Sequence, residues 1–169
     1  MIRGTLTNNS DEEFSYVSAR PIEKGIPTFI FFHATGFNGQ TYWQLVEGLD
    51  NKFEGSVNCI SLDQRGHGLS TALTEPERLK DWSLYLQDAL EITDKLEGPL
   101  FCAGHSMGSI VAAKLSSLRQ EKVRKLIMLE PVLYGPLECF KYRLMRAIGR
   151  RNKVELVELA AKRRSIFGS

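Results

Sequence analysis

The sequence predicts an α/β fold, a mostly parallel sheet with flanking helices followed by a helical segment. Strand-like apolar runs alternate with helical patterns from residue 14 to residue 131, as parallel βαβ construction requires. Four of those runs are nearly continuous in apolar residues, as strands covered on both faces are. After Pro131 the texture changes, and no further strand run occurs before Ser169.

The strands are expected at Phe14 to Arg20, Thr28 to His33, Val57 to Asp63, Leu100 to His105 and Lys125 to Glu130. Between them Thr41 to Leu49 reads as a short helix, Asp81 to Leu96 as a longer one and Met107 to Gln120 as a third. In the second helix Trp82, Tyr85, Ala89, Ile92 and Leu96 follow helical spacing, and Asp81 suits the N-cap. Beyond Pro131, Leu137, Phe140, Leu144, Met145 and Ile148 make one amphipathic helix and Val154 to Ile166 another, with Asn152 and Glu155 as its capping signal. The expected division is a core over 1–133 and a helical cap or lid over 134–169.

A chain of 169 residues with 43% hydrophobic and 25% charged residues is that of an ordinary globular protein able to bury one core. Its charge is lopsided: nine Lys or Arg against three Glu over residues 137–169 leave about −4 for the rest, given a total of +2. That tail reads as the solvated face of two amphipathic helices, or else as a basic surface for anionic lipid, nucleic acid or an acidic substrate. Aromatic residues do not alternate with the bases as a stacking platform requires, so nucleic acid is not an expected partner. No leader or membrane-spanning run is visible, and Cys59, Cys102 and Cys139 lack metal-ligand spacing. They read as reduced thiols of a cytoplasmic protein. Neither a G-x-G-x-x-G loop nor a P-loop lysine is present, and no cofactor or metal is expected.

The stretch Phe101-Cys102-Ala103-Gly104-His105-Ser106-Met107-Gly108 sets a serine between two glycines at a strand-to-helix junction. Glycines there permit a turn sharp enough to leave the Ser106 hydroxyl free at the strand's carboxyl end. Two further loops follow strands: His33-Ala34-Thr35-Gly36-Phe37, and Asp63-Gln64-Arg65-Gly66-His67-Gly68-Leu69-Ser70. Together, the three loops resemble those of the α/β-hydrolase family, over roughly residues 14 to 131.

The resemblance implies a serine hydrolase acting on an ester or similar small acyl substrate. Ser106 is the implied nucleophile and the Met107 N–H one oxyanion donor. The second donor is the N–H of Thr35 or of Phe37, because His33-Ala34 departs from the commoner His-Gly opening. The Asp63 to Ser70 loop reads as scaffold ahead of a direct part in the chemistry, with Asp63 and Arg65 pairing or accepting backbone N–H groups, and Trp43 as helix packing ahead of a substrate contact.

A serine nucleophile needs a base and an acid that orients it. The chain has three histidines. His105 neighbours Ser106 and points to the opposite side of the strand end, while His33 and His67 stand where family members use histidine structurally. The family's catalytic histidine lies beyond the last strand, so the resemblance implies an amino-terminal part ending within the cap region and lacking that base. Glu130 ends the Lys125 strand, from which some α/β hydrolases supply the acid; its other reading is a carboxylate holding loop backbone. Asp63 and Asp88 are weaker acids. The alternative to an enzyme is a non-catalytic remnant of the fold that binds a small molecule or a partner. Either way, the Lys125 strand is expected to be an exposed sheet edge prone to self-association.

Overall fold

A computed structural model of the chain describes residues 1–74 and 82–132. Six strands form one sheet: β1 (Ile2–Thr7), β2 (Glu13–Ser18), β3 (Thr28–Phe32), β4 (Asn58–Leu62), β5 (Leu100–His105) and β6 (Val123–Leu129). Their order across the sheet is β1-β2-β4-β3-β5-β6. β4, β3, β5 and β6 run parallel, and β1 and β2 form an antiparallel hairpin whose second strand pairs antiparallel with β4. The helices are α1 (Trp43–Phe53), entered through a 3-10 turn at Gly39–Tyr42, α2 (Ser83–Asp94) and α3 (Met107–Leu118).

The central strands are apolar because both faces are covered. In β3, Ile30 and Phe32 point into a cluster with Phe14, Ile60, Leu62, Ile92, Cys102, Val111 and Leu115, on the side where α2 and α3 pack. Phe29 and Phe31 point the other way, onto Val46, Val57, Cys59 and Ala103, with Tyr42, Trp43 and Leu49 packed from the α1 side. Alternation along a pleated strand thus divides one apolar run between two half-cores. Trp43 packs its helix as expected.

Strand register sets up the site. Phe32 pairs with Leu62 of β4 on one side and with Gly104 of β5 on the other. The segments that begin at His33, Asp63 and Ser106 therefore leave the sheet side by side at the carboxyl ends of parallel strands, where open α/β sheets place ligands.

The hairpin strand β1 has no counterpart among the expected strands. Its residues are exposed or half-buried, so no apolar run marks it, and pairing with β2 alone creates it. Gly4 lies flat against Tyr16, where an added Cβ would collide with the phenol. The expected helices at Thr41 to Leu49 and Asp81 to Leu96 become α1 and α2, and Trp82 stands at the N-cap position of α2. Asp81, the cap or lid over 134–169 with Asn152 and Glu155, and Cys139 lie outside the described residues.

Cys59 and Cys102 are buried free thiols. Burial pushes the first up to about 11 and the second to about 12. No helix among the described residues is long and apolar enough to cross a membrane.

Candidate active site

Ser106 stands between β5 and α3 with φ 52° and ψ −114°, a conformation that L-residues avoid and that sharp functional turns store. Two close approaches hold it there. A Cβ on Gly104 would strike the Gly108 carbonyl, and a Cβ on Gly108 would strike the Phe32 carbonyl of β3. Both glycines are therefore needed for α3 to turn back tightly over the sheet. The Ser106 N–H donates to the Leu129 carbonyl of β6 at 3.0 Å, and the Ser109 hydroxyl donates to Gly104 O at 2.6 Å and to Leu129 O at 3.0 Å. Met107 opens α3, where backbone N–H groups have no intrahelical partner.

The His33 loop lies beside this turn. The Thr35 hydroxyl is 3.4 Å from the Met107 sulfur. The Phe37 N–H donates to Ala34 O at 3.1 Å, and the Gly36 N–H donates to His67 Nε2 at 3.3 Å. Among the described residues nothing accepts from the Thr35 N–H.

Asp63 ties the loops together. It is 1% exposed, accepts the Gly39 N–H at 2.6 Å and the Leu69 N–H at 2.9 Å, and so joins the turn before α1 to its own loop. That is the scaffold role expected of this loop, met by accepting backbone N–H groups rather than by pairing with Arg65. Arg65 does not pair with Asp63; its guanidinium is buried between Asp88, at 2.7 Å, and Glu12. Asp88 is thereby committed to an ion pair beneath the β2 hairpin and is not an available acid.

The three histidines are all engaged. His33 is fully buried; Nδ1 meets Ala34 O at 2.8 Å and Nε2 accepts the Gln64 N–H at 3.0 Å. Burial lowers it to about 4, so it stays neutral as that acceptor. His67 uses Nδ1 on Arg65 O at 2.8 Å and Nε2 on Gly36. His105 Nδ1 lies 2.8 Å from the Tyr42 hydroxyl, which also receives the Ala34 N–H at 3.4 Å. Among the described residues none of the three hydrogen-bonds Ser106. Glu130 follows β6 at φ 43° and is exposed, without a hydrogen-bond partner among the described residues. The tie from Tyr42 to His105 left no trace in the sequence, since 63 residues separate the two. Among the described residues there is no group of three or more His, Cys, Asp or Glu that could hold a metal ion.

A mostly parallel sheet in this order, with a glycine-flanked serine elbow at the end of β5, defines an α/β-hydrolase. The profile of the serine aminopeptidase S33 family matches residues 27–164, and the chain belongs to that family. It is 33% identical over 104 residues to (E)-2-((N-methylformamido)methylene)succinate hydrolase of Acinetobacter baylyi, a match covering 61% of this chain and 37% of the relative. To protein phosphatase methylesterase 1 of Saccharomyces cerevisiae it is 26% identical over 123 residues, covering 63% of this chain and 31% of the relative. The chain thus spans about a third of the length of these curated relatives. Among solved structures, the thioesterase domain from the curacin biosynthetic pathway superposes with a TM-score of 0.71 at 19% identity, over 99% of this chain and 62% of that one. Epoxide hydrolase VrEH1 from Vigna radiata does so with 0.66 at 20%, over 80% and 41%.

Proposed function

We propose that the chain carries the nucleophile and oxyanion hole of a serine hydrolase acting on an ester or similar small acyl substrate. The observation that carries this is Ser106 held at φ 52° by two glycine close approaches. The Ser106 Oγ attacks the acyl carbon, its proton passes to a base, the leaving group departs, and water then hydrolyses the acyl-enzyme to the acid and free serine. The developing oxyanion is received by the N–H groups of Met107 and Thr35. Thr35 is preferred to Phe37 because the Phe37 and Gly36 N–H groups already have acceptors. Losing one such donor typically costs about 2.7 to 4 kcal/mol of transition-state stabilisation. The relatives named as a succinate-derivative hydrolase and a methylesterase fit this chemistry.

The engaged histidines support a base supplied from outside these residues, and Glu130 as acid rests on its place after β6 alone. They also favour the second reading, a non-catalytic chain that keeps the elbow without a triad. Fluorophosphonate labelling of the purified chain, with and without added imidazole as a surrogate base, separates the two. Slow labelling that imidazole accelerates and that Ser106→Ala abolishes is the expected result. No Ser106-dependent labelling at any imidazole concentration sinks the enzyme reading, and labelling indifferent to imidazole overturns the missing base.

Self-association through β6 belongs to the same reading. Leu126, Ile127, Met128 and Leu129 are 38% to 49% exposed along this strand. Beside them lies a cavity of about 660 Å³ lined by Phe29, Phe31, Phe101, Ile127 and Leu129. The buried thiols of Cys59 and Cys102 suit a reducing, cytoplasmic setting.

A further inference from the structure

Two loops must hold a fixed separation if the N–H groups of Met107 and Thr35 are to meet one oxygen atom. The β-sheet registers only their first residues, and Thr35, Gly36 and Phe37 are all exposed. Tyr42 is the side chain that spans the gap. Its hydroxyl receives the N–H of Ala34, the neighbour of Thr35, and lies 2.8 Å from Nδ1 of His105, the neighbour of Ser106.

The ring is itself held firmly. It packs on Phe31 with centroids 4.3 Å apart, and Phe37 and His105 meet it edge-on at 6.3 Å and 6.1 Å. Tyr42 also stands at a defined point of its own element, after a capping box in which Asn38 and Thr41 bond reciprocally. Burial raises the phenol above its usual range, so it keeps its proton. With a lone pair taken by Ala34, and no other acceptor for its proton among the described residues, the hydroxyl donates to His105 Nδ1. His105 is then the tautomer that carries its proton on Nε2.

We propose that Tyr42 is a positioning residue: its hydroxyl braces the Ala34 amide against the His105 ring, setting the oxyanion loop at a fixed distance from the Ser106 elbow. The catalytic meaning of the brace rests on Ser106 as nucleophile, whereas the brace can be measured without turnover.

Tyr42→Phe keeps the ring and removes the hydroxyl. In long-range 1H–15N spectra of the full chain, His105 is expected as the Nε2–H tautomer, and Tyr42→Phe is expected to give a mixture of both neutral forms. Amide exchange at Ala34 is expected to quicken about tenfold in that variant, the size of one lost net hydrogen bond. His105→Leu is expected to quicken it similarly, and His105→Gln, whose carbonyl can accept from the phenol, to restore protection. An unchanged tautomer pattern in Tyr42→Phe, or Ala34 exchange equal in all four proteins, overturns the brace. Where Ser106 labels, Tyr42→Phe is expected to slow labelling about tenfold, less than the 10²-fold or more of a lost donor. Failure of Ser106 to label in the parent chain refutes the enzyme reading and leaves the tautomer and exchange results to decide the brace.

Discussion

His33 shows how one residue can serve the site without doing its chemistry. Fully buried, with one ring nitrogen facing Ala34 O and the other accepting the Gln64 N–H, it is lowered from 6.5 to about 4 by burial. The unfolded chain binds this proton at a higher pH than the fold does, so stability is complete above pH 6.5 and is lost as pH falls toward 4. The loss amounts to about 3 kcal/mol at one pKa unit per 1.36 kcal/mol. Urea unfolding followed between these two pH values is expected to show it, and His33→Gln is expected to flatten the slope while lowering stability throughout. An equal slope in both proteins would assign the acid sensitivity to other groups. That His33 is structural was legible from its motif position. Why it must stay neutral was not, because only the folded loop brings Gln64 to its second nitrogen.

At the scale of elements, the decisive contact is α3 against β3. Gly108 faces the Phe32 carbonyl so closely that no Cβ fits, and the obstacle is backbone in a central strand rather than a side chain that can swing aside. Gly108→Ala is therefore expected to cost about 1 to 3 kcal/mol, the usual range for overpacking a fixed interior. Chemical denaturation checks this, and a change within about 0.5 kcal/mol would show that α3 can lift away. The two glycines could be picked out because their spacing around a serine lies within five residues. By contrast, β1 is not legible in the sequence: an edge strand with an exposed or half-buried face carries no alternation strong enough to read, and its place is set by pairing with β2.

Among the described residues the sheet has two edge strands, β1 and β6, and they differ in what they expose. β1 pairs only with β2 and carries a mixed, largely polar set of side chains, whereas β6 pairs only with β5 among the described residues and presents apolar ones. An exposed apolar edge is a template for another chain. Sedimentation over rising protein concentration is expected to show reversible association. Ile127→Lys, placing charge at a half-exposed site on this strand, is expected to weaken it at least about tenfold. A monomer at all concentrations, or a variant that associates as well as the parent, would remove β6 as the joining surface.

The parallel core, the serine elbow and the strand that becomes β6 were all readable along the chain. Each depends on a local pattern: continuous apolar runs and glycines at fixed spacing. What had to await the folded chain were relations between distant residues. Register brings Phe32 level with Leu62 and Gly104, so three loops meet. Arg65 leaves its sequence neighbour Asp63 for Glu12 and Asp88, and Tyr42 reaches His105. Side-chain hydrogen bonds across tens of residues are chosen by which atoms packing brings within about 3 Å, and that proximity is a property of the assembled sheet, with no signature in local composition.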